Sequence, residues 1–507
     1  MVTSPHALAS EAGAGVLRAG GSAVDAALAT ATTLAVIYPH MCSLGGDAFW
    51  LIYEARGQRV DYLDGGGRAA ASATLERFAG QEEIPFRGLA PATVTTPGAV
   101  ASFCEAHGRY GKLPLARCLE SAIHCARDGY PVSERVARWI KQTETELAAD
   151  PASAELFLAR PGRNPALART LEAIAARGRA GFYEGEVAAG LAALGGFFDE
   201  RDLAAQGAYW GEPIRGTYRD VTLCETPAPT QGFTVLEMLN LVEPLDLGSY
   251  LGPDHVHLLV QAKQLAYHDR DRWLADPRFA DVPVAKLVSK RYADERRRLL
   301  DPARAMAWDQ VPASNLSGDT VYVAALDAEG NAASLIFSLY GVFGACITSA
   351  ATGVVMQNRG AYFSLDPAHP NRLEPGKVPL HTLIASLAFR DGRLWAALGC
   401  MGADGQPQIH AQAYVAMIDF GLDIQQALAA PRWLSGRFAL GEPRDTLHIE
   451  ARYPPATIDE LERRGHRVER WGDWNELAGH AHGITLAEDG SLAGGYDPRS
   501  DGAAVHS

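Results

Sequence analysis

A chain of 507 residues with 47% hydrophobic and 21% charged residues has an ordinary soluble, globular profile and is long enough for a large core. Its formal charge of −14 excludes a generally basic nucleic-acid-binding surface. Its longest apolar runs fall far below the ~18 residues that a helical membrane span needs. The seven cysteines (Cys42, Cys104, Cys118, Cys125, Cys224, Cys346 and Cys400) are odd in number and scattered, without a C-x-x-C pair. They read as buried free thiols of a reducing compartment, with no disulfide framework and no metal centre. The N-terminus lacks a basic segment followed by an apolar one, so the expected location is cytoplasmic.

Residues 7–36 place apolar side chains every three or four positions and predict helix, broken at Gly20-Gly21, with Ser22 capping the second part. Residues 49–53 and 60–64 read as a hairpin turning at 55–58. Residues 98–130 and 134–180 are helices rich in Ala, Leu and Arg, punctuated by residues 111–114 and by Asp150-Pro151. Two more helices follow at 231–246 and 254–275. The basic run from Lys290 to Arg298 reads as a solvated helix face. Residues 300–318, rich in Pro, Ala, Ser and Asn, predict a surface linker of the kind that suits a cleavage site. Beyond Thr320 come strands of small and β-branched residues and helices at about 405–419 and 422–429. Two strands at 446–450 and 483–487 flank a helix near 456–464. There is no internal repeat. Strands between outer helices predict an α+β fold.

The segment Ser317-Gly318-Asp319-Thr320 heads an apolar strand that turns at 327–331 and returns through 332–339. A threonine here becomes a nucleophile if the chain is cut before it, because its new α-amine then serves as its own base. That amine titrates near pKa ~7.7–8, within reach of neutral pH. The pairs His255/His257 and His480/His482 have no third ligand at metal-site spacing. The run Gly65-Gly66-Gly67 lacks the strand–turn–helix context of a phosphate loop.

An ordered set of landmarks runs along nearly the whole chain. It comprises residues 6–10 and 17–26, Leu44-Gly45-Gly46-Asp47, Thr96-Pro97-Gly98, residues 266–270, Asp276-Pro277, Ala430-Pro431-Arg432 and Asp497-Pro498-Arg499-Ser500. With the 317–320 junction, it resembles the γ-glutamyltransferase family of N-terminal-nucleophile hydrolases. The resemblance implies a four-layer α-β-β-α sandwich and self-cleavage between Asp319 and Thr320. The fragments, 1–319 and 320–507, would remain one intertwined domain, with a further dimer of these pairs as an option. It assigns Thr320 as nucleophile, Ser338 as a supporting hydroxyl, and the backbone N–H groups of Gly402 and Ala403 as oxyanion donors. Alanine suits the second position if that backbone does not need a positive φ.

Substrate-binding positions depart from the γ-glutamyl pattern. The arginine that grips the α-carboxylate falls on Gly66, with Arg68 two residues on. The Ser-Ser pair falls on His381-Thr382, and the three ligands of the α-amino group fall on Tyr340, Arg359 and Tyr362. An acceptor site for ammonium has become a donor site for an anion. The pattern resembles the amidohydrolase branch of the family, with its oxamate amidohydrolase and cephalosporin-acylase-like members. The expected substrate is a small carboxylate-bearing amide, oxamate-like, held by Arg359 with His381 and Arg68 as further candidates. No cofactor is required. Alternatives are γ-glutamyl transfer or glutathione hydrolysis, a cephalosporin (glutaryl) acylase, and a non-enzymatic binding protein that is never cleaved.

Overall fold

The computed structural model describes residues 1–88, 93–306, 318–438 and 442–507. Most of the expected linker, residues 307–317, and with it Ser317, lies outside these. In chain order the strands are β1 (Val2–Ser4), β2 (Asp47–Glu54), β3 (Arg59–Gly65), β4 (Tyr209–Gly211), β5 (Ile214–Tyr218), β6 (Val221–Glu225), β7 (Asp319–Leu326) and β8 (Ala332–Tyr340). They continue with β9 (Ala385–Arg390), β10 (Arg393–Cys400), β11 (Trp433–Ser435), β12 (Thr446–Glu450), β13 (Arg467–Trp471), β14 (Ala481–Leu486), β15 (Leu492–Tyr496) and β16 (Ala503–Val505).

One antiparallel sheet has the order β16-β1-β7-β8-β2-β3-β4 and a second the order β15-β14-β10-β9-β6-β5; β11, β12 and β13 form a small third sheet. Both large sheets mix strands from before and after Thr320. Helices α1 (Ala7–Arg18), α2 (Ala23–Ile37), α3 (Ala99–Tyr110) and α4 (Leu115–Asp128) form the layer against the first sheet. Helices α5 (Gly232–Val242), α6 (Pro253–Trp273) and α7 (Gln406–Ile418) cover the second. The arrangement is the α-β-β-α sandwich, an α+β fold.

Side-chain alternation divides the core into three slabs. On β7, Val321, Val323 and Ala325 join the slab under the first helical layer. Tyr322, Ala324 and Leu326 face the second sheet. Thr320 therefore shares the inter-sheet face, and the same count on β8 puts Ser338 beside Ile336 and Ala332 on that face.

The expected break at Gly20-Gly21 is present. Ser22 and Asp25 form a reciprocal capping box at 3.1 and 2.9 Å, satisfying two N–H groups at the start of α2. Every residue of α2 is buried, as suits a helix of Ala, Thr and aliphatic residues. The 134–180 stretch is not continuous helix; Pro151 and Pro165 each start a new one. The basic run is a docking face as well as a solvated one. Lys290 Nζ donates to Thr217 O and Asn240 Oδ1 (both 2.6 Å), and Arg297 donates to Asn240 O and Leu241 O (both 2.8 Å). β12 and β14 belong to different sheets, and the parallel partner of β12 is β13. Among the described residues no helix is long and apolar enough to cross a membrane, and all seven cysteines are free.

Candidate active site

The β7–β8 ladder pairs Asp319 with Tyr340 and Val321 with Phe337, two steps on one strand against three on the other. The extra residue of this bulge is on β8, where Ser338 and Leu339 together oppose Thr320. Thr320 Oγ donates to the carbonyl oxygen of Asp319 at 2.7 Å and lies 3.2 Å from Ser338 Oγ. Ser338 Oγ also donates to that carbonyl, and accepts the backbone N–H of Tyr340 at 2.7 Å. Two hydroxyls thus converge on one peptide carbonyl in a buried setting. Tyr340 has φ +77°, a conformation rare for a side-chain-bearing residue, held by this bond at the end of β8.

Arg359 lies on a single 3₁₀ turn, Arg359–Tyr362, and is fully buried. Its guanidinium carbon sits 4.4 Å from the ring centroid of Tyr340 and 5.4 Å from that of Tyr362. Nη1 donates to Thr382 Oγ1 at 3.1 Å. Nε and Nη2 have no hydrogen-bond partner among the described residues. Burial works against the charge, yet an arginine stays protonated. The site therefore holds a buried cation with two donors to spare.

His381 Nε2 lies 3.0 Å from Asp47 Oδ2, with both side chains buried. Burial, with Arg359 nearby, holds the imidazole well below its ordinary pKa, so it is neutral. The other ring nitrogen, Nδ1, has no partner among the described residues. Asp47 also accepts Gly67 N (2.8 Å), Gly98 N (3.2 Å) and Gln357 Nε2 (3.0 Å). Burial nevertheless pushes its pKa up to about 7, opposed by Arg359 and these donors.

Gly402 and Ala403 follow β10 and open the turn into α7. Among the described residues, no acceptor takes either N–H. The condition set for alanine is not met: Ala403 has φ +46° and keeps its side chain there regardless. Gln231 Nε2 ties the loop to Thr382, the acceptor of Arg359, donating to Ala403 O at 3.1 Å and Thr382 O at 2.9 Å. Asp404 is held by Arg270 (3.0 Å) and Tyr362 OH (2.9 Å).

These contacts close a ring: Thr320, Ser338, Tyr340, Arg359, Thr382, Gln231, Ala403. It closes at Gly318, where a Cβ would lie 2.8 Å from that of Ala403. The residues singled out from the sequence thus come together, except Arg68. Its guanidinium lies over Tyr209 at 4.2 Å, in a separate group with Arg278, Asp64 and Asp276. The two-residue offset from Gly66 places it there. Gln231 carried no local signal, and Arg270, Asp404 and Gln357, though they lie within motifs of the family pattern, had no role assigned from the sequence because their partners are distant in it. One Asp25–His107–Cys118 cluster brings its ligand atoms within 4.8 Å. Asp25 is already engaged there by the N–H groups of Ser22, Lys112 and Leu113.

This sandwich, with a threonine hydroxyl at the head of a central strand, defines an amide-cleaving enzyme of the N-terminal-nucleophile type. The chain belongs to the gamma-glutamyltranspeptidase family, whose description matches residues 9–507. It is 40% identical to the glutathione hydrolase-like YwrD proenzyme of Bacillus subtilis, over all of this chain and 98% of that one. It is equally 40% identical, with the same coverage, to the oxamate amidohydrolase proenzyme of Klebsiella pneumoniae. The cephalosporin acylase of Bacillus halodurans superposes with a TM-score of 0.89 at 35% identity, covering 99% of this chain and 94% of that structure.

Proposed function

We propose that the protein is a self-processing threonine amidohydrolase acting on a small amide whose acyl half bears a carboxylate, oxamate being the simplest case. The observation that carries the substrate class is the buried Arg359 guanidinium with Nε and Nη2 unpartnered. A carboxylate fits such a fork through charge-assisted hydrogen bonds.

In processing, Thr320 Oγ attacks the Asp319 carbonyl carbon, the C–N bond breaks to leave an ester, and the hydroxyl proton passes to the departing nitrogen. Water then cleaves the ester. The products are 1–319 and 320–507. They remain associated, because β7 and β8 of the second fragment lie between β1 and β2 of the first. In turnover the freed α-amine takes the Thr320 proton, Oγ adds to the substrate carbonyl, and Gly402 and Ala403 N–H groups hold the oxyanion. The amine leaves with that proton, and water releases the acid. The relatives named as proenzymes, one of them an oxamate amidohydrolase, support this reading.

A γ-glutamyl substrate needs an acceptor for its α-ammonium where Arg359 stands, which disfavours the glutathione reading. The deciding experiment runs purified protein on a denaturing gel and assays ammonia from oxamate beside glutathione cleavage. Two fragments with oxamate turnover support the proposal. Two fragments with glutathione turnover alone overturn the Arg359 assignment, and one uncut band without activity overturns the enzyme mechanism.

A further inference from the structure

A cavity of about 250 Å³ adjoins the scissile residue, and Gly318 and Asp319 form part of its wall. The rest is largely apolar, with Phe86, Trp139, Met401 and Leu477 prominent. Three polar side chains of other residues also line it. Arg87 donates to the carbonyls of Val342 and Gly344, and Glu476 is paired with Arg135 and Arg138. The third, His480, is 1% exposed and has neither ring nitrogen partnered among the described residues. Burial keeps it neutral, so it offers one donor and one acceptor. Trp139 Nε1 is a second buried donor without an acceptor among the described residues. The cavity therefore offers hydrogen-bonding groups on a largely apolar wall, and of its charged residues only Glu476 is in an ion pair among the described residues.

Its position relative to Arg359 is set by Tyr340. That ring meets Phe86 of the cavity wall at 5.1 Å, and on its other contacts meets Arg359 at 4.4 Å and Tyr362 at 4.6 Å. Tyr340 thus links the cation to Phe86 of the cavity wall. The Gly318–Asp319 segment runs along it: a Cβ on Gly318 would come within 3.3 Å of the Tyr340 ring. Cleavage frees Asp319 from Thr320, so the step that creates the α-amine also releases part of the wall between nucleophile and cavity.

We propose that this cavity seats the amine half of the substrate, and that this half carries a ring-sized, mainly apolar substituent rather than being ammonia alone. An ammonia-sized group needs about 30 Å³, whereas an apolar cavity of roughly 150 Å³ takes benzene. The inference rests on the Arg359 reading for the acyl half and extends it to the leaving half. In the reaction the Thr320 Oγ–acyl bond forms and the C–N bond breaks. The substituted amine leaves with the proton held by the α-amine, and water hydrolyses the ester to the free acid.

The test compares oxamate with N-phenyloxamate on the processed wild-type protein and on Leu477→Trp, a bulky change at a half-exposed wall position. The readout is the ratio of kcat/KM for the two substrates, which cancels differences in active fraction. A wild-type ratio of at least tenfold in favour of N-phenyloxamate, falling tenfold or more in Leu477→Trp, supports the proposal. Turnover of N-phenyloxamate without oxamate also supports it, while removing oxamate itself as substrate. Oxamate turnover with N-phenyloxamate slower overturns it and leaves the Arg359 reading standing. A ratio unmoved by Leu477→Trp overturns it as well. Cleaved protein that turns over neither compound overturns the Arg359 reading and this one with it.

Discussion

Thr320 Oγ and Ser338 Oγ stand 3.2 Å apart, and both donate to the carbonyl oxygen of Asp319. In the proposed processing, one hydroxyl would attack that carbonyl and the other would stabilise the resulting oxyanion, with Tyr340 N–H fixing the second. Thr320→Ala is expected to leave a single uncut chain without activity, and Thr320→Ser to cleave. Ser338→Ala removes one donor to the developing charge, a loss of roughly 10²–10³ in rate for comparable groups. A denaturing-gel time course of freshly made protein measures it. Cleavage of Ser338→Ala at the wild-type rate refutes the donor role.

Arg359 yields predictions of opposite sign for activity and stability. Arg359→Met removes charge-assisted hydrogen bonds worth about 1.5–3 kcal/mol each, so kcat/KM for oxamate should fall by at least about 10-fold. The same change removes a buried charge with two unsatisfied nitrogens, and apolar replacement of such groups is often neutral or stabilising. Thermal unfolding should show a Tm unchanged or raised. A sharp drop in Tm would mean that Arg359 is chiefly structural.

Much of this site was legible because its groups lie at the ends of strands with clear patterns. The alternation of β7 and β8 alone puts Thr320 and Ser338 on one face, and the Ser22 cap follows from a local serine three residues before an acid. The ring that joins the nucleophile to Arg359 was not legible in that way. It closes through Gln231 and Tyr340, whose contacts span the sandwich and leave no periodic trace. Strands such as β13, Arg-Val-Glu-Arg-Trp, hide their alternation under charges that remain on the surface. Arg68 shows the converse: a suitable residue type two positions from the expected one points into another cluster.

Asp319 supplies a pH dependence. Its carboxyl is buried beside Arg87 and Glu476, and Oδ2 has no partner among the described residues. Desolvation pushes its pKa up to about 8, the Arg87 cation opposing and the Glu476 anion adding to the rise. In the unfolded chain an aspartate titrates near ~3.9. Below that value both states are protonated and the contribution to stability is fully present. As pH rises towards 8 the unfolded chain ionises first, so stability is lost across the window, by at most ~1.4 kcal/mol per pH unit for one proton. Asp47 and Asp64 are raised too, to about 7 and about 6, so a comparison is required. In uncut Thr320→Ala protein, adding Asp319→Asn should flatten the fall in denaturant-measured stability between pH 4 and 8. Parallel curves for the two proteins would show that Asp319 is ionised in the fold.

Ala403, whose N–H is proposed as an oxyanion donor, carries backbone strain. Its φ of +46° costs an L side chain of order 1–3 kcal/mol, whereas glycine adopts that region freely. Its methyl group is also the neighbour that a Cβ on Gly318 would meet. Ala403→Gly relieves the strain, offset in part by the greater freedom of glycine in the unfolded chain. The expected net is a stability unchanged or up by about 1 kcal/mol, with cleavage and turnover retained because the N–H remains. A loss of turnover of tenfold or more with Tm unchanged would indicate that the methyl group, and not only the N–H, orients the loop. That outcome would move the specificity of this site from Arg359 alone to the Gly402–Ala403 turn as well.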